Sequence, residues 1–96
     1  GVDPNKFIQA VSGGFADSKI LQNHGKRMID RDFSPRGKNI THLKDMKSIL
    51  ESAKVKKIDL PISKLILKIF EDLCNLGYQN DDHSSIYRYL KFINKK

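Results

Sequence analysis

The chain has 96 residues, of which 39% are hydrophobic, and it carries a formal net charge of +7. This length accommodates one domain with a small core, and no apolar run is long enough to span a membrane. The single cysteine, Cys74, excludes an internal disulfide, and its apolar surroundings favour a buried structural thiol. Because there is no secretory signal pattern, we expect a cytoplasmic protein. The start at Gly1, without an initiating Met, fits a cut or a processed chain.

The positive charge invites a nucleic-acid interpretation, but most of the basic residues are scattered along the chain. They cluster only at Lys54-Val55-Lys56-Lys57 and in the tail Lys95-Lys96. Dispersed lysines are typical of a solvated helix surface, so the pattern argues against a nucleic-acid partner. No segment shows sustained period-two alternation, and the sequence predicts an all-α fold, a compact bundle of about five helices.

The first helix is predicted to begin at Asp3-Pro4, because Asp is a good N-cap and Pro suits the first helical position. Phe7, Ile8 and Val11 would form its buried side. Ser12-Gly13-Gly14 would end it.

The second helix is predicted from about Phe15 or Ala16 to about Arg31. Gly25 falls inside it, where glycine costs about 1 kcal/mol relative to Ala. This glycine is either simply tolerated or permits the close approach of another helix or a ligand. Helical spacing places one set of residues on a common face: Ile20, Leu21, His24 and Met28.

The third helix follows the turn signal Ser34-Pro35-Arg36-Gly37, begins near Ile40 or Thr41 and runs to about Val55. Its apolar stripe is Leu43, Met46, Ile49, Leu50 and Ala53.

The fourth helix is predicted from about Pro61 or Ile62 to Leu76, with Gly77 as its C-cap. It is apolar on nearly all sides, so it should lie at the centre of the bundle or under a partner. The fifth helix begins near Asp82, which can cap it, and its inward residues would be Ile86, Tyr89, Leu90 and Ile93.

The residues indicate no catalytic centre and no metal site, because the histidines are far apart and no nucleophile–base set is present. Gly13-Gly14 follows a helix, so it is not a dinucleotide fingerprint. Lys44 is the most interesting charge, since a lysine early in the third helix can direct its ammonium towards a polar ligand. The competing interpretation is a solvated surface lysine. Asp45 is equally compatible with an ordinary first-turn acid favoured by the helix dipole.

Several short motifs occur in a characteristic order along almost the whole chain. Together they resemble the C-terminal helical domain of the β-hydroxyacid dehydrogenases, of the 3-hydroxyisobutyrate dehydrogenase and tartronate semialdehyde reductase type. These motifs are Gly1-Val2-Asp3-Pro4, Val11-Ser12-Gly13-Gly14-Phe15-Ala16-Asp17-Ser18, His24-Gly25-Lys26-Arg27-Met28, Asp32-Phe33-Ser34-Pro35, Leu43-Lys44-Asp45-Met46, Leu60-Pro61-Ile62, Gly77-Tyr78 and Asp82-His83-Ser84-Ser85.

The resemblance implies that residues 1–96 form the substrate and dimerisation domain of a 3-hydroxyacid dehydrogenase, without its N-terminal Rossmann domain. It implies NAD or NADP as cofactor, a small 3-hydroxy acid substrate, a homo-oligomer, and no catalytic residue within this chain. Lys44 matches the family's Lys-Asp motif and is expected near the cofactor, with Asp45 as its neighbour and Phe33 facing the cleft. Where the family often has Pro-Gly-Phe, this chain has Pro35-Arg36-Gly37-Lys38.

Two other functions remain open from the residues themselves. A small basic nucleic-acid module would need one contiguous positive face and a steep dependence of affinity on salt. A protein-interaction bundle would need an exposed apolar patch that acts without a ligand. The dehydrogenase interpretation instead requires a Rossmann sequence upstream in the parent gene.

Overall fold

The computed structural model describes residues 1–95, so Lys96 of the predicted basic tail lies outside the described residues. Over this range there are α-helices and helical turns but no β-strand, which confirms the predicted all-α class. Three short helical turns supplement the α-helices: two π-turns, Leu21–Gly25 and Cys74–Tyr78, and a 3-10 turn, His83–Ser85. The α-helices are α1 (Pro4–Val11), α2 (Lys26–Asp30), α3 (Asn39–Val55), α4 (Pro61–Leu73) and α5 (Ile86–Ile93).

The described chain divides into two packing units, one comprising Gly1–Phe33 and one beginning at Ser34. None of the helices between residues 1 and 95 combines the length and the apolar character that a membrane span requires.

In the first unit, α1 begins as predicted. The Asp3 carboxylate accepts hydrogen bonds from the amides of Asn5 and Lys6 at 2.9 and 3.4 Å, and Pro4 occupies the first helical position. The predicted buried side is only partly covered, because Phe7 is 50% exposed while Ile8 and Val11 are half-buried.

The predicted start of the second helix at Phe15 or Ala16 is wrong, because helical structure begins only at Lys19. The Asp17 carboxylate accepts a hydrogen bond from the Gly13 amide at 2.8 Å and another from the Gln22 side chain at 2.8 Å, which holds residues 13–17 in a loop. The Ser18 hydroxyl then accepts from the Leu21 amide at 2.9 Å and caps the helix. Local side-chain hydrogen bonds therefore displace the helix start.

Gly25 is the point at which α1 approaches this second helical segment. A Cβ atom at Gly25 would lie 3.2 Å from Cδ1 of Ile8 and 3.4 Å from Cδ1 of Leu21. Of the two interpretations left open by the sequence, the structure supports close approach of another helix.

The second unit is built on α3 and α4, with α5 packed against α4. Leu43, Phe70 and Leu73 form the buried centre. The predicted α3 stripe is correct for Leu43 and Ala53, which are buried, whereas Ile49 is 46% exposed. The residues packed around the centre are Met46, Ile66, Leu67, Ile69, Cys74, Tyr78, Ile86 and Tyr89.

The outer sides of α4 and α5 remain uncovered. Ile62 and Leu65 on α4 are 77% and 58% exposed, and the predicted inward positions Leu90 and Ile93 on α5 are 50% and 52% exposed. The inward assignment of Leu90 and Ile93 is therefore wrong for this chain. Helical periodicity identifies an apolar face but cannot show whether the chain itself supplies its cover.

The predicted glycine at the end of the fourth helical segment is confirmed. Gly77 has φ +96°, a left-handed conformation that suits glycine at a helix C-terminus. α4 itself ends at Leu73, and the wider turn Cys74–Tyr78 carries the chain on to this glycine. From Tyr78 the chain leads into the segment that meets the start of α3.

Candidate functional site

A buried carboxylate joins the loop before α3 to the turn before α5. Asp82 is 0% exposed, and its Oδ1 accepts hydrogen bonds from the backbone amides of Arg36 and Gly37 at 3.1 and 3.0 Å. Its Oδ2 accepts from the Ser84 amide at 3.0 Å and from the Ser84 hydroxyl at 2.6 Å. We call this arrangement, together with Asn39, the Asp82 junction.

Burial by itself would raise the pKa of Asp82, but the four donors outweigh it. Hydrogen bonds from the hydroxyl and amide of Ser84 and from the amides of Gly37 and Arg36 hold the pKa of this carboxyl well below its usual range. Asp82 is therefore charged at neutral pH, and its charge is stabilised by hydrogen bonds that converge from two chain segments.

Asn39 completes the junction from the α3 side. It is 0% exposed, and its side-chain Nδ2 donates to the Tyr78 carbonyl at 2.8 Å and to the Ser85 hydroxyl at 2.7 Å. The backbone amides of Asn39 and Ile40 donate to the carbonyls of residues 81 and 79 at 2.9 and 3.0 Å. The first amides of a helix lack partners within it, so the start of α3 is capped by the segment between α4 and α5.

Two histidines pack beside this junction. The His42 ring stacks on Phe70 with centroids 5.6 Å apart, and it lies 4.5 Å from the His83 ring. Burial, and then the proximity of His83, lower the pKa of His42, while Asp45 and Asp82 act in the opposite direction. His42 is consequently neutral at neutral pH and acts as a packing group.

Gly37 lies where these rings meet the loop. A Cβ atom at this position would lie 3.0 Å from Nε2 of His42 and 3.1 Å from Nδ1 of His83. The His83 amide also donates to the Gly37 carbonyl at 2.8 Å. A side chain here would require both rings to shift by a few tenths of an ångström, so glycine suits the close approach of the loop to them.

Lys44 and Asp45 lie in the second turn of α3, soon after the junction, and both are exposed. Among residues 1–95, no carboxylate forms an ion pair with the Lys44 ammonium. The backbone that carries Lys44 is fixed by the Asp82 junction, whereas its side chain is free to meet a ligand. Phe33 ends the first unit and is 7% exposed, so little of this residue is available for contact.

The importance of Asn39 and Gly37 was not predicted from the sequence. Asp82 was predicted only as a helix cap, which is correct for its bond to Ser84 and incomplete for its bonds to residues 36 and 37. The Asp-His-Ser pattern signals the local cap, but no local pattern signals a partner 45 positions away.

Fold and site together define an all-helical chain that presents an exposed lysine one to two helical turns after a buried polar junction. A family described as "NAD-binding of NADP-dependent 3-hydroxyisobutyrate dehydrogenase" matches residues 1–90. The 2-hydroxy-3-oxopropionate reductase of Escherichia coli (strain K12) is 39% identical over 93 residues, covering 97% of this chain and 32% of that protein. The chain therefore belongs to the 3-hydroxyisobutyrate dehydrogenase family, which confirms the resemblance seen in its motifs.

Two further comparisons agree. A protein of Arabidopsis thaliana named "Probable 3-hydroxyisobutyrate dehydrogenase-like 1, mitochondrial" is 34% identical over 74 residues, covering 76% of this chain and 22% of that protein. A crystal structure of 3-hydroxyisobutyrate dehydrogenase from Salmonella typhimurium matches with a TM-score of 0.85 over 93% of this chain and 31% of that chain. At 24% identity, the latter supports the fold alone. The chain spans about a third or less of the length of these relatives.

We expect Asp82→Asn to lower the free energy of unfolding by about 2–4 kcal/mol at neutral pH. The substitution replaces one accepting oxygen by an NH2 group, which would face the N–H or O–H donors that this oxygen now satisfies. The pKa of Asp82 lies below the ordinary value of 3.8, so its stabilisation is complete above about pH 4 and is lost as the pH falls below it. Urea unfolding followed by circular dichroism at neutral pH and at about pH 3 measures both effects.

Asp81→Asn is the matched control for this substitution, because Asp81 forms a partly exposed ion pair with Arg88 at 3.0 Å. Such pairs contribute about 0–1 kcal/mol. The assigned role of Asp82 is wrong if the two variants lose the same free energy of unfolding. It is also wrong if the difference in free energy of unfolding between wild type and Asp82→Asn does not become smaller at low pH.

Proposed function

We propose that this chain is the C-terminal helical domain of an NAD(P)-dependent oxidoreductase that acts on a 3-hydroxy acid or its semialdehyde. In this proposal it completes the active-site cleft beside a Rossmann domain located elsewhere in the parent protein. The family match over residues 1–90 supports the oxidoreductase class. The name of the reductase that is 39% identical favours a substrate of the 2-hydroxy-3-oxopropionate (tartronate semialdehyde) type. The cytoplasm is the proposed location of the parent enzyme.

The exposed ammonium of Lys44 is the observation that carries the proposal. It projects from a helix whose first turn is fixed by the Asp82 junction, and no described carboxylate neutralises it. A lysine placed in this way fits the phosphate and ribose oxygens of NAD or NADP, because it offers three donors and a full positive charge. The cofactor, when bound, exchanges a hydride with the substrate, and this chain contributes binding and orientation.

Asp45 and Phe33 have supporting roles in this proposal. The Asp45 carboxylate can accept a hydrogen bond from a ribose hydroxyl. Phe33, a residue that is 7% exposed, would contribute a small apolar contact at the cleft. No residue of this chain is assigned a catalytic role, because proton transfer requires a group supplied by the rest of the enzyme.

In the full-length protein, we expect Lys44→Ala to weaken NAD(P) affinity about tenfold, because one charge-assisted hydrogen bond is lost. Fluorescence titration with NADH and NADPH measures the dissociation constants, and steady-state kinetics measures the accompanying change in KM. Comparison of the two cofactors shows whether the 2′-phosphate is part of the contact.

Lys47→Ala is the control for Lys44→Ala, because Lys47 is an exposed lysine one turn further along α3. Burial raises the pKa of the Cys74 thiol and the nearby Lys47 ammonium opposes this, so Lys47 lies on the side of α3 that faces the segment after α4. If both variants retain the affinities of the wild type, Lys44 is an ordinary solvated lysine and the proposed cofactor contact is wrong.

The purified 96-residue chain should have no dehydrogenase activity by itself. Residues 1–95 form helices without the β-strands of a Rossmann fold, and the sequence shows no nucleophile–base set. NADH and NADPH consumption with tartronate semialdehyde, and NAD⁺ and NADP⁺ reduction with 3-hydroxyisobutyrate, measure this directly. Turnover above that of a mock-purified sample would show that the chain carries its own catalytic centre.

We also propose that the protein forms a homo-oligomer through the outer side of α4. Ile62 and Leu65 are separated by one helical turn and are 77% and 58% exposed, so they form an uncovered apolar ridge. A second copy of the chain could cover this ridge and remove its apolar area from water.

Sedimentation velocity should therefore show a dimer whose population grows from low to high micromolar concentration. Leu65→Glu should shift the chain to monomer, because the interface would bury an unpaired charge. Lys68→Glu, which changes a charge one turn away without touching an apolar group, is the control. A wild-type chain that stays monomeric throughout the range would exclude this interface.

A further inference from the structure

A groove with an apolar floor and a basic rim lies at the far end of α3 from the Asp82 junction. It is formed by the last turns of α3, the connection 56–60 and the start of α4, and its volume is about 500 Å³. Leu50, Ala53 and Ile58 line it with apolar atoms. Lysines 54, 57 and 64, together with Asp59, bring charge to its edge.

The floor is produced by the way in which α3 ends. Lys57 has φ +55°, the left-handed conformation that usually belongs to glycine after a helix. Its amide donates to the Lys54 carbonyl at 3.1 Å, and the Ile58 amide donates to the Ala53 carbonyl at 2.9 Å. These two hydrogen bonds fold Ile58 back beside Ala53 and create a continuous apolar surface.

A lysine at this left-handed position is less stable than a glycine would be. Backbone strain at a single residue is often retained where the side chain has a task. Here the residue in this conformation places a positive charge at the rim of the groove. Arg31 adopts the same conformation after α2, so the binding role rests on the cavity and its charges.

The charges at the rim are not balanced within the described chain. Lys64 forms an ion pair with Asp59. Over residues 1–95, neither Lys54 nor Lys57 is paired with a carboxylate. Two ammonium groups without a carboxylate partner therefore stand beside an apolar surface, at the C-terminus of α3, where the helix dipole favours cations.

We propose that this groove binds a small soluble amphipathic anion, meaning a phosphate or carboxylate attached to an aliphatic or aromatic group. The apolar part would lie on Leu50, Ala53 and Ile58, and the anionic part would meet Lys54 and Lys57. The volume lies within the range of small-molecule sites, about 300–1,000 Å³. Charge complementarity selects an anion, and the apolar floor selects one with a hydrocarbon portion.

This site is separate from the position proposed for the cofactor. Lys54 is ten residues after Lys44 on the same helix, about 15 Å away at the usual rise per residue. The inference does not depend on the proposed dehydrogenase function and can fail or succeed independently of it.

Hexyl phosphate is a suitable probe because it joins a dianionic head to a short aliphatic tail. In ¹⁵N–¹H correlation spectra of the 96-residue chain, it should produce saturable shifts at the amides of Leu50, Ala53 and Ile58. Inorganic phosphate, which lacks the tail, and 1-hexanol, which lacks the charge, should each bind at least about fivefold more weakly.

Two variants test the role of the rim. Lys57→Gly removes one ammonium and supplies the residue that the left-handed conformation favours, so it should reduce affinity for hexyl phosphate about fivefold while raising the urea midpoint of unfolding. Lys54→Gln should reduce affinity by a similar factor without altering the backbone. Lys47→Gln, on the same helix but outside the groove, should keep the affinity of the wild type.

The proposal is wrong if hexyl phosphate gives no saturable shifts in the groove, or if inorganic phosphate binds equally well. It is also wrong if both Lys57→Gly and Lys54→Gln retain the affinity of the wild type. Because Lys57→Gly is expected to be more stable than the wild type, a loss of binding in that variant cannot be attributed to unfolding.

Discussion

The carboxylate of Asp82 is the interaction on which the second unit depends. A charge with no exposed surface is unfavourable unless hydrogen bonds replace its hydration. Here both oxygens are satisfied by four donors from Arg36, Gly37 and Ser84. The buried charge is stable only when these donors surround it. The loop before α3 and the turn before α5 must therefore meet at Asp82.

The same junction determines how α3 presents its side chains. With its first amides bonded to carbonyls between α4 and α5, the helix start has a defined position and direction. Lys44 follows one to two turns later, so the position of its backbone is defined as well, although its side chain is exposed. A binding lysine benefits from this combination, because a fixed backbone reduces the conformational entropy lost when the ligand is bound.

Local chemistry explains which parts of the fold were predictable. The Asp3 cap, the body of α3 and the glycine at residue 77 follow from propensities that act over a few residues, and all three are confirmed. The second helix begins later than its apolar pattern indicates, because Asp17 and Ser18 form competing hydrogen bonds with their neighbours. The predicted face is only partly right, because Leu21, His24 and Met28 are half-buried whereas Ile20 is 71% exposed.

The site was less predictable because its decisive contacts are not local. Lys44 and Asp45 were identified through family resemblance, and their contact with a cofactor stays a prediction. Asn39 carries no sequence signal, since a lone asparagine before a helix is usually a solvent-exposed cap. In the folded chain it is fully buried and bonds to Tyr78 and Ser85, which are 39 and 46 positions away.

This separation governs the order in which the second unit can assemble. α3 and α4 are joined by a short connection and share Leu43, Phe70 and Leu73, so they can pair early. Asp82 and the Gly37 amide are 45 residues apart, a far wider separation than the connection 56–60 between α3 and α4. We therefore expect the polar contact to form after these two helices have paired, as the last step that fixes the loop before α3.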